Sequence, residues 1–227
     1  MASKRKNRGL SRKTAEKQPY DGVLIVCEGT KTEKNYFANL ITHEKLSSVV
    51  NIEIIHGNGT DPVSVVNTAI EEREKMESHL PFDKVYCVID RDEHKKFDDA
   101  QKLAKDNQIN LIVSYPSFEY WYLCHFKYYR APIVRTGKKS AGDNCVNLLN
   151  SEWKTKFQED YRKNAENIYT KLFDFLETAL KNAGLAKQSA EEDDEKNPST
   201  HVDKLVIYLK NIKNKKFRQP EKIFQAA

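Results

Sequence analysis

Five carboxylates stand where hydrophobic runs stop: Glu28 and Glu33 after the first run, Asp90 and Asp92 after another, and Glu119 just past a third. Acids gathered this closely repel one another and raise each other's pKa unless a cation neutralises them. An all-oxygen set suits Mg²⁺ or Mn²⁺ rather than Zn²⁺, which favours histidine and cysteine. One acid at a strand end would be ordinary turn chemistry; five at three strand ends argue for a metal site. Asp90 and Asp92, at i and i+2, point to the same side of an extended chain and can approach one centre. A serine hydrolase has little support, because no G-x-S-x-G elbow occurs and His94, His125 and His201 have no evident nucleophile.

The elements that must hold these acids follow from the apolar patterning. Gly22 to Cys27 is hydrophobic without alternation, the pattern of a strand covered on both faces in a parallel sheet. Gly29 lets the backbone turn there, and Thr32 is placed to cap a helix running to about Lys45. Asn51 to His56 reads as the next strand. Asp61 then caps a helix that begins at Pro62 and runs to about Ser78, after a glycine-containing turn of ordinary type. Asp83 to Ile89 repeats the first strand and ends in Asp90-Arg91-Asp92-Glu93-His94. A helix over Phe97 to Asn107, a strand over Ile109 to Val113 and an aromatic-rich helix over Glu119 to Tyr129 complete a β-α alternation, which implies right-handed crossovers and a parallel sheet with helices on its faces. In such sheets ligands bind at the carboxyl ends of the strands. Beyond Arg130 come a turn containing Lys138 and Lys139, mostly helical sequence, an acidic loop over Ala190 to Lys196, and a last helix that Thr200 is placed to cap.

The chain has 227 residues, 39% hydrophobic and 31% charged, enough for one well-filled core. The net charge of +5 is unevenly spread: Met1 to Lys17 carries +6 and the remaining residues −1. Residues 1–19 are therefore expected to be a disordered basic arm, either solubilising or contacting nucleic-acid phosphates. Residues 20–227 form the expected domain, with a sheet core at about 20–130 and a helical part at about 143–216. No apolar run reaches the roughly 20 residues that cross a membrane, and no export signal is seen. Four cysteines without C-x-x-C spacing read as buried thiols of a cytoplasmic protein.

Four separated motifs carry a resemblance. The segments Val26 to Phe37 (V-C-E-G-T-K-T-E-K-N-Y-F), Asp90 to His94, Ser114 to Trp121 and Asn197 to Thr200 resemble, in order and spacing, the RloB family over about Tyr20 to Leu209. That family is associated with prokaryotic restriction and phage-defence loci, often beside an AAA-type ATPase, and its core is similar to the Toprim fold of OLD-type nucleases, topoisomerases and primases. The resemblance implies an α/β, Toprim-like (Rossmann-like), mostly parallel sheet flanked by helices, with a mainly helical C-terminal part. It implies Mg²⁺- or Mn²⁺-dependent cleavage of nucleic-acid phosphodiesters in anti-phage abortive infection. Glu28, Asp90 and Asp92 would be catalytic and, with Glu33 and Glu119, would hold metal. Lys31, His94, Ser199, Thr200, His201 and Lys204 would contact substrate. Glu33 departs from the OLD-like spacing by one residue, and His94 stands where some Toprim proteins have a third aspartate. DNA and RNA, tRNA included, both stay open as substrates, and so does self-association. The other reading is a metal- and nucleotide-binding sensor or adaptor of an ATPase-containing defence complex, without turnover of its own.

Overall fold

The computed structural model describes residues 22–48, 50–59, 61–76, 81–91 and 96–215. The basic arm, Asp92, Glu93 and His94 lie outside the described residues. The core is an α/β assembly around a five-stranded sheet ordered β2-β1-β3-β4-β5. Strands β1 (Gly22–Cys27), β2 (Asn51–His56), β3 (Lys84–Asp90) and β4 (Asn110–Tyr115) are mutually parallel. The short β5 (Ser199–Thr200) runs antiparallel to β4, with Ser114 opposite Thr200.

Val23 to Cys27 are completely buried because both faces of β1 are covered. Val23, Ile25 and Cys27 pack with Tyr86, Val88 and Ile112 on one face, beneath helices α1 (Thr32–His43), α4 (Glu119–Cys124), α5 (Ala141–Phe157) and α8 (Val202–Lys215). Leu24 and Val26 pack with Val85, Cys87 and Ile89 on the other, beneath α2 (Pro62–Met76) and α3 (Phe97–Asp106). The chain reverses its direction across the sheet after β2 and changes face at the same step, as a single crossover hand requires. Loops leaving β1 and β3 therefore part toward opposite faces and leave a crevice between adjacent strand ends, the place where open α/β sheets take ligands.

Several expectations are refined. Helix α4 stops at Cys124 instead of near Tyr129, because the buried Asn182 side chain of α7 (Leu176–Glu192) donates to the Cys124 carbonyl at 2.8 Å and caps it. Helix α7 continues through Glu192, into the stretch expected to be a loop. Asp61 does anchor the start of α2, accepting bonds from Ser64 N and Ser64 Oγ. Ser140 and Asp143 form a reciprocal capping box on α5. All four cysteines are buried free thiols, and among the described residues no helix is long and apolar enough to cross a membrane.

Candidate active site

Glu28 follows β1 directly, and its backbone N–H donates to Val88 O across the β1–β3 pair at 3.0 Å. Its own Oε2 accepts the Asp90 backbone N–H at 3.0 Å. Two strands that cannot slip without turning their apolar faces outward thus fix Glu28 beside Asp90. Helix α1 brings Glu33 in its first turn and α4 brings Glu119 as its first residue, both from the face that carries the larger core. Glu33 and Glu119 are 5% and 3% exposed, far below the norm for carboxylates. With Lys31 at the mouth, these four acids line a cavity of about 370 Å³.

Gly29 is part of the construction. A methyl group on its Cα would sit 2.2 Å from Glu33 Oε2 and 2.7 Å from Oε1. The glycine is what lets the Glu33 carboxyl fold back over the turn after β1. Aromatic packing holds the helices that deliver the acids: Tyr36 lies edge-on to Phe37, Phe118, Trp121 and Tyr169 at centroid distances of 5.3 to 6.4 Å.

The electrostatics are strained in one direction. Burial pushes the Glu33 carboxyl up to about 7, and the charges of Glu119 and Glu28 push the same way. Asp90 is raised well above the ordinary carboxylate range by burial first, then by Glu33, Glu119 and Glu28, against a backbone hydrogen bond from Phe118. Its Oδ1 is buried and accepts no hydrogen bond among the described residues. An acceptor oxygen without a donor, set among three other acids, fits a cation better than it fits any neutral filling. Among the described residues no three acids, histidines or cysteines are arranged to grip an ion together. A magnesium ion needs only one or two carboxylates and fills its other positions with water or phosphate oxygens. Asp90 and Glu28 are the residues that would hold it, with Glu33 and Glu119 behind.

Lys163 joins the cavity from a segment with no motif of its own. Its ammonium lies 3.3 Å from Glu119 Oε1, while Ser117 Oγ donates to Oε2 of the same carboxylate at 2.8 Å. Burial alone would lower the Lys163 pKa, but the charge and hydrogen bond of Glu119 together with the charges of Asp90 and Asp143 outweigh it, and the lysine is held protonated. Nothing in a solitary lysine in an irregular segment signals this position. Thr32, expected to cap α1, makes no capping bond; its hydroxyl donates to Lys163 O at 3.3 Å and ties that segment to the cavity rim. Glu28, Glu33, Asp90, Glu119 and Lys31 therefore converge as expected, and Asp92 and His94 lie outside the described residues. Ser199, Thr200, His201 and Lys204 do not join them. Thr200 is buried against Ser114, with their hydroxyls 2.8 Å apart, and Ser199 Oγ donates to Lys196 O at 2.7 Å. Ser199, His201 and Lys204 face a different cavity.

A family model described as RloB-like protein matches residues 23–209. No curated protein and no solved structure gives a match.

Proposed function

The chain belongs to the RloB-like family, and we propose that it is a Toprim-like, Mg²⁺-dependent nuclease that cleaves nucleic-acid phosphodiesters in prokaryotic anti-phage defence, in the cytoplasm and alongside an AAA-type ATPase. The observation that carries the reading is the buried, unbonded Oδ1 of Asp90 within a ring of three other carboxylates at the end of a parallel sheet. A divalent ion there would supply Lewis-acid activation of water and shielding of the departing oxygen. Glu28, oriented by the Asp90 N–H, serves as the base that accepts the proton of the attacking water. Asp90, held neutral by burial and its acidic neighbours, would ionise on the same side once a cation is bound. Glu119 and Lys163 form a charge pair at the wall, and Lys163 and Lys31 offer cations to the substrate phosphate. Helix α1 directs its N-terminal N–H groups toward the same cavity, a favourable environment for a phosphate.

The test is incubation of the purified chain with Mg²⁺ and plasmid DNA, single-stranded DNA and total tRNA, with and without the neighbouring ATPase, beside Glu28→Gln. Cleavage of any of these, reduced by about two orders of magnitude in Glu28→Gln, is the expected result. Metal binding without cleavage under every condition would favour the sensor or adaptor reading instead.

A further inference from the structure

The cavity that faces Ser199, His201 and Lys204 has a volume of about 790 Å³ and shares no lining residue with the acidic one. It opens at the β5 edge of the sheet. One wall is formed by the α3 residues Phe97, Gln101 and Ala104 and the β4 side chains Leu111 and Val113, and the other by Lys187 and Ala190 of α7 with Lys204 of α8. With no residue in common, the two cavities can hold separate ligands.

The lining divides chemically in two. One wall is apolar and aromatic: Phe97 and Tyr115 stand with centroids 6.4 Å apart at 65°, next to the aliphatic β4 surface. The opposite rim carries Lys187, Lys196 and Lys204 beside Glu191 and Asp194, and Lys105 adds a further cation from α3. Lys187 is neutralised by the buried Asp203. No ion pair joins Lys105, Lys196 or Lys204 to an acid among the described residues. Between the two walls stands His201, its backbone N–H fixed to Val113 O at 2.9 Å. Burial, then the charges of Lys204 and Lys187, pull the His201 imidazole down to about 4, which makes it a neutral hydrogen-bonding group and reports the positive field around it.

We propose that this cavity is a second binding site, for a mononucleotide-type ligand whose aromatic base lies against Phe97 and Tyr115 and whose phosphates meet Lys196, Lys204 and His201. The volume is of the size that small-ligand sites occupy, and the pairing of a stacking wall with unpaired ammonium groups is what a ring-bearing phosphate requires. Arg91 links this site to the acidic one. Arg91, immediately after Asp90, donates its N–H to Ser114 O at 2.7 Å and lays its guanidinium over the Phe97 ring at 4.6 Å. A base that shifts Phe97 therefore presses on the segment carrying Asp90. The assignment stands independently of the cleavage reading.

The experiment is calorimetric titration of the full chain with ADP in EDTA, so that no metal recruits the nucleotide to the acids, with adenosine and tripolyphosphate titrated separately. ADP is expected to bind at least about tenfold more tightly than either fragment, since base and phosphate contacts each contribute about that factor. Lys204→Glu and Lys196→Glu, both at exposed positions, should each weaken ADP about tenfold or more, with unchanged melting temperature, while Glu28→Gln leaves ADP affinity as it was. Three results overturn the proposal: no ADP binding at millimolar concentration, tripolyphosphate binding as tightly as ADP, or ADP affinity indifferent to both lysine reversals.

Discussion

Substituting Gly29→Ala isolates the packing of Glu33 from its charge. The new methyl carbon would be placed 2.2 Å from Oε2, 2.7 Å from Oε1 and 2.8 Å from Cδ of Glu33, against about 3.5 Å for an unstrained contact. The carboxyl must retreat by about 1 Å or more. A surface glutamate would do so freely, but this one is 5% exposed and begins α1, so the expected loss of stability is about 1 to 3 kcal/mol, the usual range for overpacking. A displacement of that size in a reacting group costs about a hundredfold in rate. Urea unfolding and Mg²⁺-dependent cleavage measure the two effects separately. The double variant Gly29→Ala, Glu33→Ala removes the colliding atoms and should be no less stable than Glu33→Ala alone, a coupling of about 1 to 3 kcal/mol. Additive effects within about 0.5 kcal/mol would refute the close approach of Glu33 to Gly29. A stability loss with undiminished cleavage would remove Glu33 from the reaction.

Asp90→Asn removes a carboxyl that is ionised in the unfolded chain but resists ionisation in its buried acidic site, so it should melt higher than the wild type in EDTA at neutral pH, and added Mg²⁺ should raise the wild-type melting temperature but not the variant's; differential scanning fluorimetry with both samples decides this. Lys163→Met should reduce cleavage by about a hundredfold while costing about 1 to 3 kcal/mol of stability, since the Glu119 side chain, 4% exposed, loses its counter-charge; full activity would show that its charge is not used. His125, buried and bonded through Nδ1 to Trp121 O at 3.0 Å, is held down at about 4. The unfolded chain takes up this proton near 6.5, so stability should fall as pH drops from about 6.5 to 4, by up to about 3 kcal/mol, and level off below. His125→Phe should lack that portion of the acid transition in urea titrations at several pH values, and an identical pH profile would show that His125 is not the group responsible.

The strands were legible because their information is local. Gly22 to Cys27 carries an uninterrupted apolar run and Asn51 to His56 three isoleucines around Glu53, and both strands have the expected limits. The acids at strand ends were legible for the same reason, since the sheet dictates where a residue after a strand must go. What escaped the sequence is contact between distant segments. The end of α4 is set by Asn182, 58 residues away, and local periodicity over Glu119 to Tyr129 contains no trace of it. Two residues cannot announce themselves as a strand, so β5 and its consequence, the diversion of Ser199, His201 and Lys204 to a separate cavity, became visible only in three dimensions. Lys163 belongs to the same class.

The Thr32 hydroxyl that holds Lys163 at the rim bridges 131 positions of the chain. Protein synthesis runs from the amino end, at about 5 to 20 residues per second. The strand bearing Glu28 and the helix bearing Glu33 are thus made roughly 6 to 26 seconds before the lysine that faces Glu119. During that interval the nascent chain holds acids without their internal counter-charge. The acidic cavity is in this way assembled with its charge balance added late, and a ribosome-bound fragment ending before Lys163 carries an incomplete centre.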